Sequence, residues 1–381
     1  MPLSGLKILD VSRLLPGPYA TTILSEFGAH VIKIEDPDAG DPTRATIPKR
    51  AGESIYFSAL NRGKRSLTLN LKSEKGREIF RRLSASSDVL VEGFRPGIMK
   101  KLGLDFESLK KTNPRLIYCA ITGYGQSGAD SERAGHDLNY LAKSGLLDFL
   151  QKDGQPIVPG FQLTDIVGGT LQALVGILLA LIQREKTGRG QFVDVSMADG
   201  ALLFLPLILA EFGIQHLPPN PVGGFFACYF LYPTQDGRTL SVACYERKFW
   251  ESFCRALEHE EWIPLQFNPD PAVQQNLKSQ ISQILVSHSL NHWVKIFAPL
   301  NICVEPVQSL NEVVSDPHFQ ERGDLFQKNG VLNLHFPLHG GELKKHPGTR
   351  APGLGEHTVQ ILGELGFSEE EIRELKEEGI V

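Results

Sequence analysis

Short apolar runs alternate with segments of helical periodicity through the first half of the chain. The runs that predict β-strands are residues 7–11, 31–35, 66–70, 89–92, 115–121 and 191–195. Helical patterns lie between them over 20–28, 73–83 and 166–187, with Ser73 as the N-cap of the second. This alternation is typical of a doubly wound, Rossmann-like α/β sheet, in which ligands bind beyond the carboxyl ends of the strands.

The pattern changes after a proline-rich stretch at 217–221, which we interpret as a linker. Two apolar runs, 228–232 and 239–244, flank Asp236-Gly237 and predict a β-hairpin. Amphipathic helices follow over 247–258, 273–287 and 293–299. The sequence therefore predicts a smaller α+β domain after the α/β domain.

We place the large α/β domain at 1–221 and the small domain at 222–325. Residues 326–381 form a C-terminal segment that we expect to return to the large domain. Its last predicted helix begins at Ser368, which with Glu371 has the pattern of a capping box.

Composition excludes several classes of function. The chain has 381 residues, 41% of them hydrophobic, and a net charge of −5, which disfavours general nucleic-acid binding. Any anionic ligand must then be met by a local basic cluster. The five cysteines are scattered without CxxC spacing, which favours reduced thiols over a disulfide framework or a metal site. Without a signal-peptide pattern in the first residues, we expect a cytoplasmic protein.

Two segments are strongly apolar. Residues 166–182 contain three glycines, Thr170 and Gln172, and at 17 residues lie at the lower limit for spanning a bilayer. We expect a buried helix there and no membrane partner. Residues 198–212 predict a second apolar helix.

His136 and Asp165 are the candidate chemical pair, because each stands at a loop-to-helix junction. Taken alone, His136 is better explained as a hydrogen-bonded structural residue, and Asp165 as the N-cap of the helix at Ile166. The apolar helix behind Asp165 would bury its carboxylate and make its pKa adjustable. Gly168-Gly169 would allow another group to approach closely.

A glycine-rich motif at 123–128 fits GxGxxG and follows a predicted strand. The dinucleotide fingerprint must also open a helix, whereas here the chain continues as a loop through 129–135. This disfavours a nicotinamide or flavin site. Contact with phosphate or pantetheine through the loop backbone remains open.

A further set of motifs resembles the class III coenzyme A transferase superfamily and, within it, the alpha-methylacyl-CoA racemases. The matching segments follow the family's order along nearly the whole chain: 3–6, 16–20, 63–72, 94–97, 123–128, 134–140, 187–191 and 355–358. The resemblance implies a two-domain chain in an interlocked homodimer, in which the small domain of one subunit closes over the large domain of the other.

The resemblance also implies an activity. Asp165 matches the catalytic aspartate of the superfamily, His136 the second base of the racemases, and Glu246 their glutamate, although the residues after Glu246 differ from the family pattern. The implied reaction inverts the α carbon of a 2-methylacyl-CoA, with one base on each face of an enolate. The alternative is a CoA transferase in which Asp165 attacks the thioester and passes through an anhydride and an aspartyl-CoA thioester. Without the resemblance, Glu246 is better explained as an acid favoured by a helix N-terminus.

Coenzyme A enters as part of the substrate, and no other cofactor is implied. The residues that the resemblance assigns to its binding are Leu69, Asn70, Leu71, Lys72, Arg95, Gly135, Asp137, Leu138, Asn139 and Tyr140. One departure concerns Asp36, which stands where the racemases often carry an arginine. Lys33 or Arg44 would have to compensate for this missing cation.

Overall fold

The structure, a computed structural model, describes residues 1–152, 154–215, 222–328, 330–346 and 350–381. The chain forms two compact units, 1–205 together with 324–381, and 206–323. The predicted linker at 217–221 lies outside the described residues.

The first unit is built on a six-stranded parallel sheet. Its strands are β1 (Lys7–Asp10), β2 (His30–Glu35), β3 (Arg65–Thr68), β4 (Val89–Glu92), β5 (Ile117–Thr122) and β6 (Phe192–Ser196). Their order is β3-β2-β1-β4-β5-β6, and every neighbouring pair is parallel. The predicted α/β fold with a central parallel sheet is confirmed. The order reverses between β1 and β4, which is where such sheets bind ligands.

Helices cover both faces of this sheet. They are α1 (Pro16–Glu26), α2 (Ile55–Asn61), α3 (Glu74–Ala85), α4 (Ile98–Lys101), α5 (Phe106–Leu109), α6 (Asp137–Lys143), α7 (Gln172–Thr187) and α8 (Met197–Ala201). Successive strand residues point to opposite faces, so Ile8 packs with α1 and α7 while Leu9 packs with α3. Ser73 caps α3 as predicted, since its hydroxyl accepts from the Gly76 N–H.

α7 continues from wide, π-helical turns at Asp165–Leu171. By length and composition the helix Asp165–Thr187 is apolar enough to cross a membrane, yet 39% of its most apolar stretch is buried in the protein. The prediction of a buried helix therefore holds for one face. The other face exposes a stripe at helical spacing, formed by Val175, Leu178, Leu179 and Ile182.

The predicted helix at 198–212 is wrong, because it is interrupted. α8 and a short turn at Leu202–Phe204 end before Pro206, where a new helix starts. Proline lacks the N–H that would continue the hydrogen-bond ladder, so it can begin a helix but not extend one.

The second unit combines seven helices among its described residues with a small antiparallel sheet. The helices are α9 (Pro206–Gln215), α10 (Val222–Phe225), α11 (Arg247–Ala256), α12 (Pro271–Leu285), α13 (Leu290–Phe297), α14 (Leu310–Ser315) and α15 (Pro317–Arg322). The strands are β7 (Tyr229–Pro233), β8 (Thr239–Ala243) and β9 (Val304–Pro306). The predicted hairpin is confirmed, and its turn contains Gly237 at φ 70°. Trp250, Phe253 and Trp293 centre the core of this unit.

Residues 324–381 add the hairpin β10 (Leu325–Lys328) and β11 (Val331–Leu334) and the helices α16 (Thr358–Glu364) and α17 (Glu369–Glu377) to the first unit. The Asn70 N–H donates to the Ile380 carbonyl at 2.8 Å. The capping box of Ser368 and Glu371 forms as predicted. The end of the described chain thus supports the loop after β3.

Candidate active site

Two cavities lie beyond the carboxyl ends of the strands, at the point where the strand order reverses. The strand-end cavity, of about 330 Å³, is bounded by residues that follow β1 to β4, among them Val11, Leu69 and Phe94. The His136 cavity, of about 470 Å³, is bounded by His136 and Asp165. Because Ser12, Arg13 and Phe94 belong to both linings, the cavities adjoin at these three residues, which we call the neck.

The strand-end cavity collects one group of predicted binding residues, namely Leu69, Asn70, Leu71 and Lys72. Its other walls include Ile34, Ile98 and Leu102, so it offers apolar surface with Lys72 as a cation at the edge. An aromatic base with phosphate groups suits such a lining.

The two residues expected to compensate for Asp36 are each paired with an acid. Lys33 is buried and donates to Asp41 at 2.9 Å and to the Ser12 carbonyl. Arg44 makes two hydrogen bonds to the Glu35 carboxylate, at 2.7 and 2.8 Å. Both cations are paired with buried carboxylates, so neither is a free positive charge, and their compensating role stays a prediction.

The His136 cavity brings together His136 and Asp165, which are separated by 28 residues, with Gly135, Asn139 and Tyr140 of the predicted set. Arg95 lies on its wall too. Asp137 and Leu138 lie outside both linings. The predicted pair therefore shares one cavity, whereas the predicted binding residues divide between two.

His136 is held by its own helix. The Asn139 side chain accepts from the His136 N–H at 3.0 Å, and the Tyr140 hydroxyl donates to the Gly135 carbonyl at 2.6 Å. Burial raises the pKa of Tyr140, so its hydroxyl keeps the proton that this bond requires. These bonds fix the backbone on either side of His136.

Asp165 does not cap its helix, and here the capping interpretation is wrong. The cap is supplied by Asp137, whose Oδ1 accepts from the Thr164 N–H at 2.6 Å and from the Asp165 N–H at 2.9 Å. The Thr164 hydroxyl donates to the same oxygen. Since Asp137 satisfies the helix start, the Asp165 carboxylate is available to the cavity.

The Asp165 carboxyl group is poised near neutrality. Burial, followed by the nearby charge of Asp137, raises its pKa to about 6, and His136 opposes the rise. A carboxylate with such a pKa can both take and return a proton at neutral pH.

The glycines behind Asp165 make room for protein, not for a ligand. A Cβ on Gly168 would lie 2.4 Å from the Met197 carbonyl oxygen of α8, and one on Gly169 would lie 2.8 Å from Pro16. The close approach that we predicted is therefore made by α8 and α1, which fix the position of Asp165.

Glu246 lies in the second unit, at the N-cap position of α11. Its side chain is exposed and makes no capping hydrogen bond. An acid at the start of α11 is the position that the helix dipole favours, and no capping hydrogen bond adds to this effect.

Arg13 is a site residue that our sequence reasoning missed. It lies at the neck, with its guanidinium carbon 4.8 Å from the centre of the Phe94 ring. The available signal was its position directly after β1, the strand at which the sheet order reverses.

The structure is an open parallel α/β sheet with a candidate site across its strand ends, where a histidine–carboxylate cavity adjoins an apolar, cation-edged cavity. The chain belongs to CoA-transferase family III, whose model matches residues 3–358. It is 35% identical to human alpha-methylacyl-CoA racemase, over all of this chain and 98% of that protein. It is 33% identical to human succinyl-CoA:glutarate CoA-transferase, over all of this chain and 90% of that protein.

A solved structure supports the same assignment. The crystal structure of a CAIB/BAIF family protein from Brucella suis matches with a TM-score of 0.85 and 32% identity, covering 96% of this chain and 99% of that one. The predicted resemblance is confirmed, and the family's members include racemases and CoA transferases.

Proposed function

We propose that the protein racemises the α carbon of a 2-methylacyl-CoA, with His136 and Asp165 as the two bases. The observation that carries the proposal is their meeting in one cavity, with the pKa of Asp165 raised to about 6. A transferase needs the aspartate but not the histidine.

The reaction begins when one base removes the α proton of the thioester. The electron pair moves onto the carbonyl oxygen to give a planar enolate, and the other base then protonates the opposite face. Helix α1 starts at Pro16 on the wall of the same cavity. Pro16 and Pro18 have no N–H, so Gly17 is a first-turn donor, and the positive end of the helix dipole favours the enolate oxygen.

The second candidate is transfer of CoA between carboxylic acids through Asp165. The observation that favours it is the presence of two further guanidinium groups, Arg95 and Arg133, on the wall of the His136 cavity. They would hold the carboxylate of an acid substrate. Asp165 would attack the thioester carbonyl, expel CoA thiolate and form a mixed anhydride. The thiolate would then attack the aspartyl carbonyl, which releases the first acid and leaves an aspartyl-CoA thioester. The carboxylate of the second acid would take the CoA by the same two steps in reverse, which frees Asp165.

The test is incubation of a 2-methylacyl-CoA in deuterated water. Under the first proposal, deuterium enters the α carbon, and the rate falls by at least about 100-fold in His136→Ala and in Asp165→Ala. Mass spectrometry of the thioester measures the exchange. No deuterium entry, together with transfer of labelled carboxylate into the thioester, would sink the racemase proposal and support the transferase.

We also propose that the chain acts as a homodimer in which Glu246 completes the active site of the partner subunit. Two observations support this proposal. The exposed apolar stripe of α7 is suited to burial against another surface. Glu246 is exposed and makes no capping bond in its own chain.

A further inference from the structure

The strand-end cavity lacks the cation that the resemblance leads one to expect there. Asp36 places a carboxyl group on its lining, and Lys33 and Arg44 are paired with buried acids. Coenzyme A nevertheless carries a diphosphate and a 3′-phosphate, which need positive partners. The inference that follows rests on the proposed use of an acyl-CoA.

Arg13 is a cation in the right place. It is exposed at the neck, on the lining of both cavities, and stacks over Phe94. Within the part of the chain that the structure describes, no carboxylate forms an ion pair with Arg13. Arg133, by contrast, pairs with Asp130 at 3.0 Å.

The backbone on each side of Arg13 is fixed. The N–H and hydroxyl of Ser12 both donate to Asp10, at 3.0 and 2.5 Å, and Lys33 donates to the Ser12 carbonyl. On the other side, the Leu14 N–H donates to Asp41 at 3.4 Å. Leu14 itself has a φ of 67°, a conformation that is strained for leucine.

Four buried charges hold this corner. Asp10 pairs with Lys64 and Asp41 pairs with Lys33, each at 2.9 Å, and all four side chains are almost fully buried. Removing such charges from water costs free energy, and a strained residue persists only where its surroundings determine its conformation. The network therefore fixes the Ser12–Leu14 corner and with it the position of Arg13.

We propose that Arg13 binds the diphosphate of coenzyme A at the neck. The diphosphate joins the adenosine to the pantetheine arm. If adenosine occupies the strand-end cavity and the thioester reaches Asp165, the diphosphate passes the three residues that the cavities share. A planar guanidinium can form two parallel hydrogen bonds to such a group.

The test measures binding of free CoA and of 3′-dephospho-CoA by calorimetry, without turnover. Arg13→Gln lowers the affinity for both ligands by the same factor, about 10- to 100-fold, because both ligands contain the diphosphate. Arg13→Lys keeps the charge but loses the paired donors, so its loss is smaller. The control is Arg115→Gln, an exposed arginine that precedes β5 at the opposite end of the strands. It pairs with Glu185 and belongs to neither lining, so this variant leaves binding unchanged.

Two results would overturn the proposal. One is CoA binding by Arg13→Gln within about twofold of the wild type. The other is weakening of CoA but not of dephospho-CoA, which would place Arg13 at the 3′-phosphate. Failure of the racemase proposal is seen separately, as intact CoA binding without deuterium exchange.

The supporting role of the network has its own readout. Asp41→Asn removes the partner of Lys33 and of the Leu14 N–H, and so weakens CoA binding by loosening the corner. In the double variant with Arg13→Gln, Asp41→Asn causes no further loss of CoA affinity, because the Arg13 guanidinium that Asp41 helps to position is absent. Additive losses in the double variant contradict the positioning role. The Arg13 variants decide the proposal even if Asp41→Asn fails to fold.

Discussion

The ionised form of Asp165 is less stable in the folded chain than in water. Burial and the Asp137 charge raise the pKa of its carboxyl group from 3.8 to about 6. Below about pH 3 the carboxyl is protonated in both the folded and unfolded states, so it has no effect on stability. Between about pH 4 and 6 the unfolded chain ionises first, and the folded state loses stability.

Asp165→Asn removes this penalty. We expect its unfolding free energy to exceed that of the wild type by about 1–2 kcal/mol at pH 7 and by close to nothing at about pH 3, after allowance for the partial exposure of the group. Urea unfolding at the two pH values measures the difference. The exposed Asp38→Asn serves as control, and a gap that does not change with pH would contradict the prediction.

His136 and Asp165 could be found from the sequence because loop-to-helix junctions and family motifs are recognisable in the local sequence. The cap of the Asp165 helix could not, because it comes from Asp137, in a segment 28 residues earlier. Tertiary contacts between distant segments decide which of the two aspartates caps the helix and which one faces the cavity. Arg13 was missed for the same reason, since its exposure at the neck depends on the strained Leu14 corner.

At the level of elements, Asp165 is positioned by close packing of two helical segments. Gly168 on the π-helical turns lies against Met197 of α8, and Gly200 of α8 lies against Gly168 in return. The backbones of the two segments are in direct contact there, so neither segment can shift easily to accommodate a larger side chain.

Gly168→Ala should therefore destabilise the first unit. Its Cβ would lie 2.4 Å from a backbone oxygen, and we expect a loss of about 1–3 kcal/mol in unfolding free energy together with reduced activity. The matched control is Gly363→Ala in α16, where no atom lies within 4 Å of the new Cβ. The unfolding free energy of that variant should rise by up to about 1 kcal/mol. Equal urea midpoints for the two variants would refute the packing argument.

The strands of the sheet were predictable as elements, because each is a short apolar run that is bounded by turns. The break in the predicted helix at 198–212 was not predicted, because the segment is apolar throughout and the prediction did not take Pro206 into account. The π-helical turns at Asp165–Leu171 also have no signal in hydrophobic periodicity, since they arise from packing against α1 and α8.

On the scale of the whole molecule, the proposed dimer can be tested through its active sites. Asp165→Ala and Glu246→Gln are each expected to be nearly inactive as homodimers. If Glu246 acts on the partner's site, a co-expressed mixture contains heterodimers with one intact site, and about a quarter of the wild-type activity returns.

If Glu246 acts within its own chain, no site in the mixture is intact and activity stays at the level of the single variants. The deuterium exchange rate per active site provides the measurement. Light scattering of the purified mixture serves as a control for dimer formation.

The division of the first unit between 1–205 and 324–381 has a consequence for the order in which the protein is made. The 206–323 unit is continuous, so it can fold as soon as it has been synthesised. The loop of Asn70, which lines the strand-end cavity, must wait for Ile380 to receive its N–H. On the growing chain, the unit that is encoded second is completed first, and the strand-end cavity is among the last parts to form.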